Sequence, residues 1–172
     1  MLGQALIKKM SQQTEKIKTL EKHAAEIRLL IVKMLAKAGS GHPGGSLSST
    51  DIITVLYFDV LRHRPQEPAW PDRDRFHLSK GHCCPVVYAA LAQTGYFEHK
   101  HLFTLRTLGS LLQGHPDRRT PGIECASGSL GQGLSVALGM SLAAKIDKRS
   151  YRVYCLLGDG EIQEGNIWEA AM

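Results

Sequence analysis

The chain has 172 residues, of which 43% are hydrophobic and 22% are charged. This balance is typical of a globular domain that is large enough to bury its own core. The apolar runs are too short to cross a membrane, and the N-terminal region lacks the apolar segment and cleavage site of a signal peptide. The four cysteines form no CxxC pair, which argues against a disulfide framework and favours free thiols in a reducing compartment. We therefore expect a cytoplasmic protein with no membrane partner.

The net charge of +5 is concentrated at the N-terminus. Residues 1–38 contain eight Lys or Arg residues and three Glu residues, and the rest of the chain is balanced. No Phe, Trp or Tyr interrupts this basic segment, so a helix face in water explains it better than a nucleic-acid site does. We predict no nucleic-acid partner, and a basic helix over residues 1–38 that packs on the rest of a single domain.

Apolar residues at helical spacing predict a first helix over residues 14–38, with Thr14 as its cap and Gly39 at its end. The later predicted elements are a helix over 49–62, a loop over 63–75, a strand over 76–79, helices over 85–95, 99–107 and 131–145, and a strand over 151–157. The last strand, YRVYCLL, is mostly apolar on both faces, as a central parallel strand requires. The pattern predicts an α/β fold with an open, doubly wound parallel sheet flanked by helices. Because such a sheet usually has several more strands, we expect it to be incomplete at the C-terminus.

Asp159 stands between two glycines directly after this strand, in the segment Gly158-Asp159-Gly160. Ligands of open parallel sheets bind beyond the carboxyl ends of the strands. A carboxylate there, flanked by glycines that let a large ligand approach, suits a hard cation such as Mg²⁺ that bridges to a phosphate group. The same tripeptide is common in ordinary turns, so taken alone it leaves both interpretations open.

The segment SGSLGQG, residues 127–133, precedes a predicted helix. Exposed backbone N–H groups beside the positive end of a helix dipole favour a diphosphate. The segment matches neither the dinucleotide fingerprint nor the Walker loop. Tight helix packing through small residues explains it equally well.

Three histidines, His42, His82 and His115, each follow a glycine in a predicted loop. Imidazoles that converge on one pocket could hold hydroxyl and phosphate groups and transfer protons. A zinc site is disfavoured because no two of them have the spacing of zinc ligands. One such histidine would be an ordinary loop residue, but three Gly-His loops in one chain favour a functional site.

Five segments occur in an order that resembles the motif series of the transketolases: SGHPGGSLSSTDI, WPDRDRFHLSKGH, SLLQGHPD, GSLGQGLSVALGM and GDGEIQEGNIWEA. The resemblance runs from about residue 20 to Met172. It is strongest to the N-terminal subunit of the split transketolases, in which two polypeptides form one enzyme. It implies a thiamine-diphosphate-binding fold and a transferase that moves a two-carbon ketol unit from a ketose phosphate to an aldose phosphate.

The resemblance also implies a cofactor site. Asp159 would bind the divalent metal ion, Mg²⁺ or else Ca²⁺ or Mn²⁺, that holds thiamine diphosphate, and Gly160 would lie close to the diphosphate. Gly128 and Leu130 would contact the cofactor. His82 would approach both the diphosphate and the substrate.

The remaining implied residues belong to the substrate channel and the interface between subunits. His42 and His115 would line the channel and, with His82, act as catalytic residues on the sugar phosphate substrates. Glu164 and Glu169 match glutamates of a carboxylate network between subunits. Without the resemblance, these two glutamates would be ordinary exposed helix residues.

Two features depart from the family pattern. Cys83 and Cys84 stand where the split family commonly has small residues, and we expect packing rather than chemistry from them. The family's metal motif continues to an asparagine on the next strand, which lies beyond residue 172, since Asn166 is too close to Asp159. We therefore expect a chain that is truncated relative to its family, with weakened metal binding and a bare sheet edge.

The pyrimidine-binding domain of the family is also missing, and its glutamate activates the cofactor. In the split arrangement this domain lies on a second polypeptide, the C-terminal transketolase subunit. The resemblance thus implies a homodimer or a heterotetramer built with that partner. We expect the 172-residue chain to be inactive by itself.

Two alternatives remain. One is a related thiamine enzyme, a deoxyxylulose-phosphate synthase or a dihydroxyacetone synthase, although Pro43 and the QEG segment after Asp159 favour transketolase over the former. The other is a non-catalytic assembly module that binds a complete partner through Glu164 and Glu169. Truncation favours that module, whereas the presence of Asp159 and of all three Gly-His loops argues against it.

Overall fold

The computed structural model describes the backbone of residues 2–172 and the side chains of Gln4 and of residues 10–172. Helices surround a pair of parallel strands, which confirms the predicted α/β class. The helices are α1 (Leu2–Ala38), α2 (Pro43–Ser48), α3 (Thr50–Val55), α4 (Cys84–Thr94), α5 (Gly133–Ile146) and α6 (Gly165–Ala171), and the strands are β1 (Arg75–Leu78) and β2 (Val153–Leu156). Shorter turns are a π-helical turn (Leu56–Val60) and 3-10 turns at Gly81–Cys83, His99–Thr104 and Glu161–Gln163.

Helix α1 is the longest element and contributes one side of the core. The predicted helix over 14–38 lies within it, and it ends as predicted, where Gly39 adopts a positive φ of 66°. Ile27, Ile31 and Met34 are fully buried, and α1 packs against α3 and α4. Within the part of the chain that the structure describes, no helix has the length and apolar character needed to cross a membrane.

The single helix predicted over 49–62 is wrong in its bounds. Helix α3 covers only Thr50–Val55, and a π-helical turn follows it. The short helix α2 precedes it in a segment that was predicted to be loop. Pro43 stands in the first turn of α2, where its fixed φ suits a helix start, but the two glycines that follow hide the helical signal from a propensity argument.

Helix α4 is the centre of the core. It agrees with the helix predicted over 85–95, and Gly95 ends it with a left-handed φ of 93°. Every residue from Cys84 to Ala92 is buried. The helix predicted over 99–107 is instead a 3-10 turn over His99–Thr104.

Strands β1 and β2 pair in parallel, from Arg75 opposite Val153 to Leu78 opposite Leu156. Helix α5 packs against both strands. Strand β2 is shorter than the predicted 151–157, and its residues are half-buried rather than fully buried. Among residues 2–172, β1 is its only neighbouring strand, so one edge of β2 stays unpaired in the described structure.

A buried carboxylate fixes the amino-terminal end of this strand pair. Asp74 accepts hydrogen bonds from the backbone N–H groups of Arg62 and Arg152, at 2.9 and 2.8 Å, and from the Arg62 guanidinium. These bonds join the segment after the π-helical turn to the starts of both strands. The carboxyl ends of the strands are thereby aligned at the opposite edge.

Candidate functional site

The carboxyl ends of β1 and β2 lie side by side because the strands are parallel and in register. Ser79, directly after β1, donates its backbone N–H to the Leu156 carbonyl at 3.0 Å. The loop after β1 and the turn after β2 therefore face the same space, an open cleft of about 480 Å³ that we call the strand-end cleft. Its lining residues are Gly44, Gly45, Ser48, Lys80, His82, Cys83, Leu130, Gly158, Asp159, Gly160 and Glu161.

The structure brings the three Gly-His loops close to one another, and His82 of the three histidines lines this cleft. The rings of His42 and His82 are 5.0 Å apart, edge to face. Burial, together with electrostatic repulsion from the neighbouring His42, Lys80 and His115, lowers the pKa of His82. His82 therefore carries a neutral imidazole near pH 7, which can accept a proton.

Helix α4 positions the loop that carries His115. The hydroxyl of Tyr88 donates to the carbonyls of Gln113 and His115, both at 3.0 Å. The His115 ring lies against Gly128, where a Cβ atom would stand only 3.1 Å from Cδ2 of the ring. A side chain at position 128 would therefore push this ring away from its place.

The glycine-rich loop, residues 127–133, packs closely against the end of β1. A Cβ atom on Gly81 would lie 2.8 Å from the Ser127 carbonyl carbon, and one on Gly133 would lie 2.7 Å from the Ser79 Cα. Both positions therefore require glycine. At these contacts the glycines of the segment serve tight packing, which is one of the two interpretations of its sequence.

Not all the residues proposed for the cofactor lie in one place. His82, Leu130, Asp159 and Gly160 line the strand-end cleft. Gly128 instead lines a second cleft, together with His77 and Ser127 among others, on the other side of the glycine-rich loop. Ser129, Gln132 and Gly133 line the second cleft as well, whereas Leu130, in the middle of the loop, lines the strand-end cleft.

Glu164 and Glu169 are exposed, the first at the start of α6 and the second within it. The side chain of Glu164 lies against Gly131, where a Cβ atom would be 2.9 Å from the Glu164 Cβ. Both carboxylates are thus accessible to another chain, and Glu164 lies close to the glycine-rich loop.

The residues of the cleft fit a diphosphate better than they fit a complete metal site. Among the described residues, no three His, Cys, Asp or Glu side chains are grouped as metal ligands. Asp159 offers one exposed carboxylate, whereas Mg²⁺ takes six oxygen ligands, so phosphate oxygens, water or other groups must supply the rest. Lys80 lies beside Gly158 and, with His82, supplies donors for an anion.

The two adjacent cysteines pack as expected. Cys83 and Cys84 are fully buried, and all four cysteines are free thiols. The Cys84 thiol donates to the Gly114 carbonyl at 3.2 Å, and burial raises its pKa to about 12. Burial also raises the pKa of Cys83. Protonated, buried thiols of this kind are poor nucleophiles.

Lys80 and Glu161 are site residues that the sequence patterns do not predict. Lys80 stands just after β1, so the rule that drew attention to Asp159 after β2 could have found it. Glu161 resembles an exposed residue of a polar segment, and no local signal indicates that it is buried. Its partners are far away in the chain, and only the folded structure reveals them.

The architecture is thus that of a parallel α/β domain with a ligand cleft at the carboxyl ends of its strands. Residues 19–172 match the family described as transketolase, thiamine diphosphate binding domain. The chain therefore belongs to the transketolase family and comprises part of its thiamine-diphosphate-binding domain.

Named relatives agree with this family. The chain is 47% identical over 156 residues to an apulose-4-phosphate transketolase subunit of Phocaeicola vulgatus, covering 91% of this chain and 56% of that protein. It is 49% identical over 154 residues to the 6-deoxy-6-sulfo-D-fructose transketolase subunit SqwG of a Clostridium species, covering 89% of this chain and 56% of that protein. The crystal structure of Campylobacter jejuni transketolase superposes with a TM-score of 0.84 at 40% identity, covering 89% of this chain and 25% of that one. The chain thus spans about half of these subunits and a quarter of the Campylobacter enzyme.

Proposed function

We propose that this chain is the diphosphate-binding part of a transketolase. The enzyme transfers a two-carbon ketol unit from a ketose phosphate to an aldose phosphate, with thiamine diphosphate and Mg²⁺. The observation that carries the proposal is the strand-end cleft, where the turn with Asp159 and the loop with Lys80 and His82 face each other. Membership of the transketolase family supplies the reaction class.

Each residue of the cleft has a chemical task in this proposal. Asp159 binds Mg²⁺, and Gly160 leaves room for the diphosphate beside it. Lys80 and His82 donate hydrogen bonds to the phosphate oxygens, and Leu130 contacts the cofactor. When it is bound, thiamine diphosphate supplies the nucleophilic carbon that reacts with the ketose carbonyl.

The histidines act on the sugar phosphate. His42 and His115 bind hydroxyl groups of the substrate and move protons on them, and Gly128 keeps the His115 ring in place. Because the pKa of His82 is lowered, its neutral ring accepts a proton near pH 7. The rings of His42 and His82 are 5.0 Å apart, which supports their action on one substrate.

A second polypeptide completes the enzyme. Two of the relatives are named as transketolase subunits, which favours a C-terminal subunit with the pyrimidine-binding domain as the partner. The exposed Glu164 and Glu169 contact that subunit in a homodimer or heterotetramer in the cytoplasm. The chain, with its basic N-terminal helix, forms the N-terminal part of one domain and is inactive alone.

The proposal is tested by titrating thiamine diphosphate into the purified chain by calorimetry, with Mg²⁺ and with EDTA. With Mg²⁺, Asp159→Asn should weaken binding at least about tenfold, since even groups that only orient metal ligands contribute that much. With EDTA, the variant and the parent should bind equally. Asp147→Asn, an exposed carboxylate at the end of α5, is the matched control and should change neither titration. Failure of the parent chain to bind in Mg²⁺ would contradict the proposed site.

The reaction class needs the chain combined with its C-terminal subunit. Ketol transfer from a ketose phosphate should proceed without pyruvate, whereas a pyruvate requirement with release of CO₂ would indicate a deoxyxylulose-phosphate synthase. His42→Ala and His115→Ala should each lower turnover. Full activity of the complex with both histidines replaced would indicate that this chain is an assembly module.

A further inference from the structure

Glu161 is a buried carboxylate two residues beyond Asp159. Only 3% of its surface is exposed. Its Oε1 accepts hydrogen bonds from the Ser79 hydroxyl and from the backbone N–H of Gly131, the latter at 3.0 Å. Its Oε2 accepts the backbone N–H of Gly158 at 2.9 Å. The proposed reaction uses none of these contacts directly.

The three donors come from three separate parts of the chain. Ser79 follows β1, Gly131 belongs to the glycine-rich loop, and Gly158 begins the turn that carries Asp159. A carboxylate satisfies all three because both of its oxygens are acceptors. A glutamine at this position would turn an NH₂ group toward one of the donors and leave it unpaired.

These bonds also decide which backbone groups are free. The N–H groups of Gly131 and Gly158 already donate to Glu161, so neither is available to a diphosphate. Close packing restricts the same segments, because Gly133 leaves no room for a Cβ atom beside Ser79. The carboxylate thus sets the position of both loops without being a ligand of the diphosphate itself.

We infer that Glu161 is a positioning residue that holds the Asp159 turn and the glycine-rich loop against the end of β1 before any ligand binds. This inference deepens the proposed function and rests on it for the identity of the ligand. The preformed geometry keeps Asp159 and Leu130 on the same cleft. Loss of this preformed geometry therefore lowers the affinity for thiamine diphosphate and Mg²⁺, because the site must then be ordered when they bind.

Amide hydrogen exchange of the ligand-free chain, resolved by NMR, tests the inference without any cofactor. Glu161→Gln should speed exchange by about ten- to a hundredfold at the glycine that faces the new NH₂ group, Gly131 or Gly158, the range expected for a bond to a charged group. Val87 in the buried helix α4 should exchange as in the parent, and Glu98→Gln, on an exposed carboxylate, is the matched control. Unchanged exchange at both glycines would overturn the inference.

Ser79→Ala removes one donor and keeps the charge, so it provides a milder variant if Glu161→Gln does not fold. It should speed exchange at Gly131 by less than Glu161→Gln speeds exchange at the glycine that it leaves unpaired. The two effects should not add in the double variant, because both act on the same carboxylate. Additive effects would contradict the inference that both substitutions act on the same set of hydrogen bonds to Glu161.

The complex with the C-terminal subunit separates positioning from catalysis. Glu161→Gln should raise the apparent KM for thiamine diphosphate about tenfold or more, while kcat at saturating cofactor stays at the parent value. Faster amide exchange at the glycines with an unchanged KM would show that the hydrogen bonds to Glu161 only stabilise the loops, and this result would overturn the inference. If the parent chain binds no thiamine diphosphate, the proposed function fails, and the exchange measurement still decides whether Glu161 ties the loops.

Discussion

Alanine substitutions at the two neighbouring glycines of α2 should change stability in opposite directions. At Gly44 a new Cβ atom meets nothing within 4 Å. Alanine there should stabilise the chain by roughly 0.5–1 kcal/mol, because it improves helix propensity and restricts the unfolded chain. At Gly45 the new Cβ atom would overlap the sulfur of Cys83, which is fully buried.

The cost at Gly45 follows from this overlap. Forcing an extra carbon into a packed site costs about 1–3 kcal/mol, and the same helix gain of roughly 0.5–1 kcal/mol offsets part of it. Because the gain is common to both variants, Gly45→Ala should be less stable than Gly44→Ala by about 1–3 kcal/mol. The contact lies on the wall of the strand-end cleft, which contains Gly44, Gly45 and Cys83.

Urea unfolding followed by circular dichroism measures both free energies of unfolding, with equal m-values as a check that the two-state treatment applies. Repeating the pair in a Cys83→Ala background removes the sulfur and should make the two variants nearly equal. This double-mutant cycle isolates the Gly45–Cys83 term. Equal stabilities in the parent background would refute the close approach of α2 to the start of α4. If the two variants still differ in stability in the Cys83→Ala background, the overlap with the sulfur is not the cause.

Three further measurements test the site and its support. In the folded chain, iodoacetamide near pH 8 should leave Cys84 unmodified because burial raises its pKa to about 12, and rapid labelling seen by mass spectrometry would contradict its position. NMR titration should give His82 a pKa below the ordinary 6.5, and His42→Ala should raise it; a parent value at or above 6.5 would be inconsistent with this burial. Burial opposes ionisation of Asp74, but hydrogen bonds from Arg62 and Arg152 outweigh it and lower the pKa of its carboxyl group. The ionised carboxylate therefore contributes its full stabilisation above the ordinary pKa of the unfolded chain. This stabilisation is lost as the pH falls through the pKa of the folded chain. Asp74→Asn should therefore destabilise the chain at pH 7 by roughly 1.5–3 kcal/mol in urea unfolding and much less in strong acid, and a pH-independent deficit would contradict the assignment.

The location of the cleft could be predicted from the sequence because it depends on a rule of topology. Asp159 follows the most apolar strand, and parallel strands present their carboxyl ends at one edge. The same rule applies to Lys80 after β1, whose short strand gave a weaker signal. The convergence of His42, His82 and His115 was a hypothesis from repeated Gly-His pairs, and the folded loops bring these rings together.

Other features could not be predicted because they arise from contacts between distant segments. Helix α2 forms although it contains two glycines, since Gly45 packs against Cys83 and no local propensity records that contact. The π-helical turn after α3 ended a helix that periodicity alone would have continued to residue 62. In both cases tertiary packing outweighed local preference, which is the usual limit of propensity arguments.

The glycine-rich loop illustrates how a local motif can suggest the wrong source of binding energy. Its sequence suggests free backbone N–H groups for a diphosphate, yet the Gly131 N–H is bound to Glu161 and Gly133 is needed for contact with Ser79. The hydrogen-bond donors that face the strand-end cleft are side chains instead, the Lys80 ammonium and the His82 ring. Since His82 has a lowered pKa, Lys80 and the metal ion proposed at Asp159 must provide most of the charge that balances a diphosphate. Diphosphate affinity in this chain should therefore depend on both strand ends together, rather than on the loop that most resembles a phosphate-binding motif.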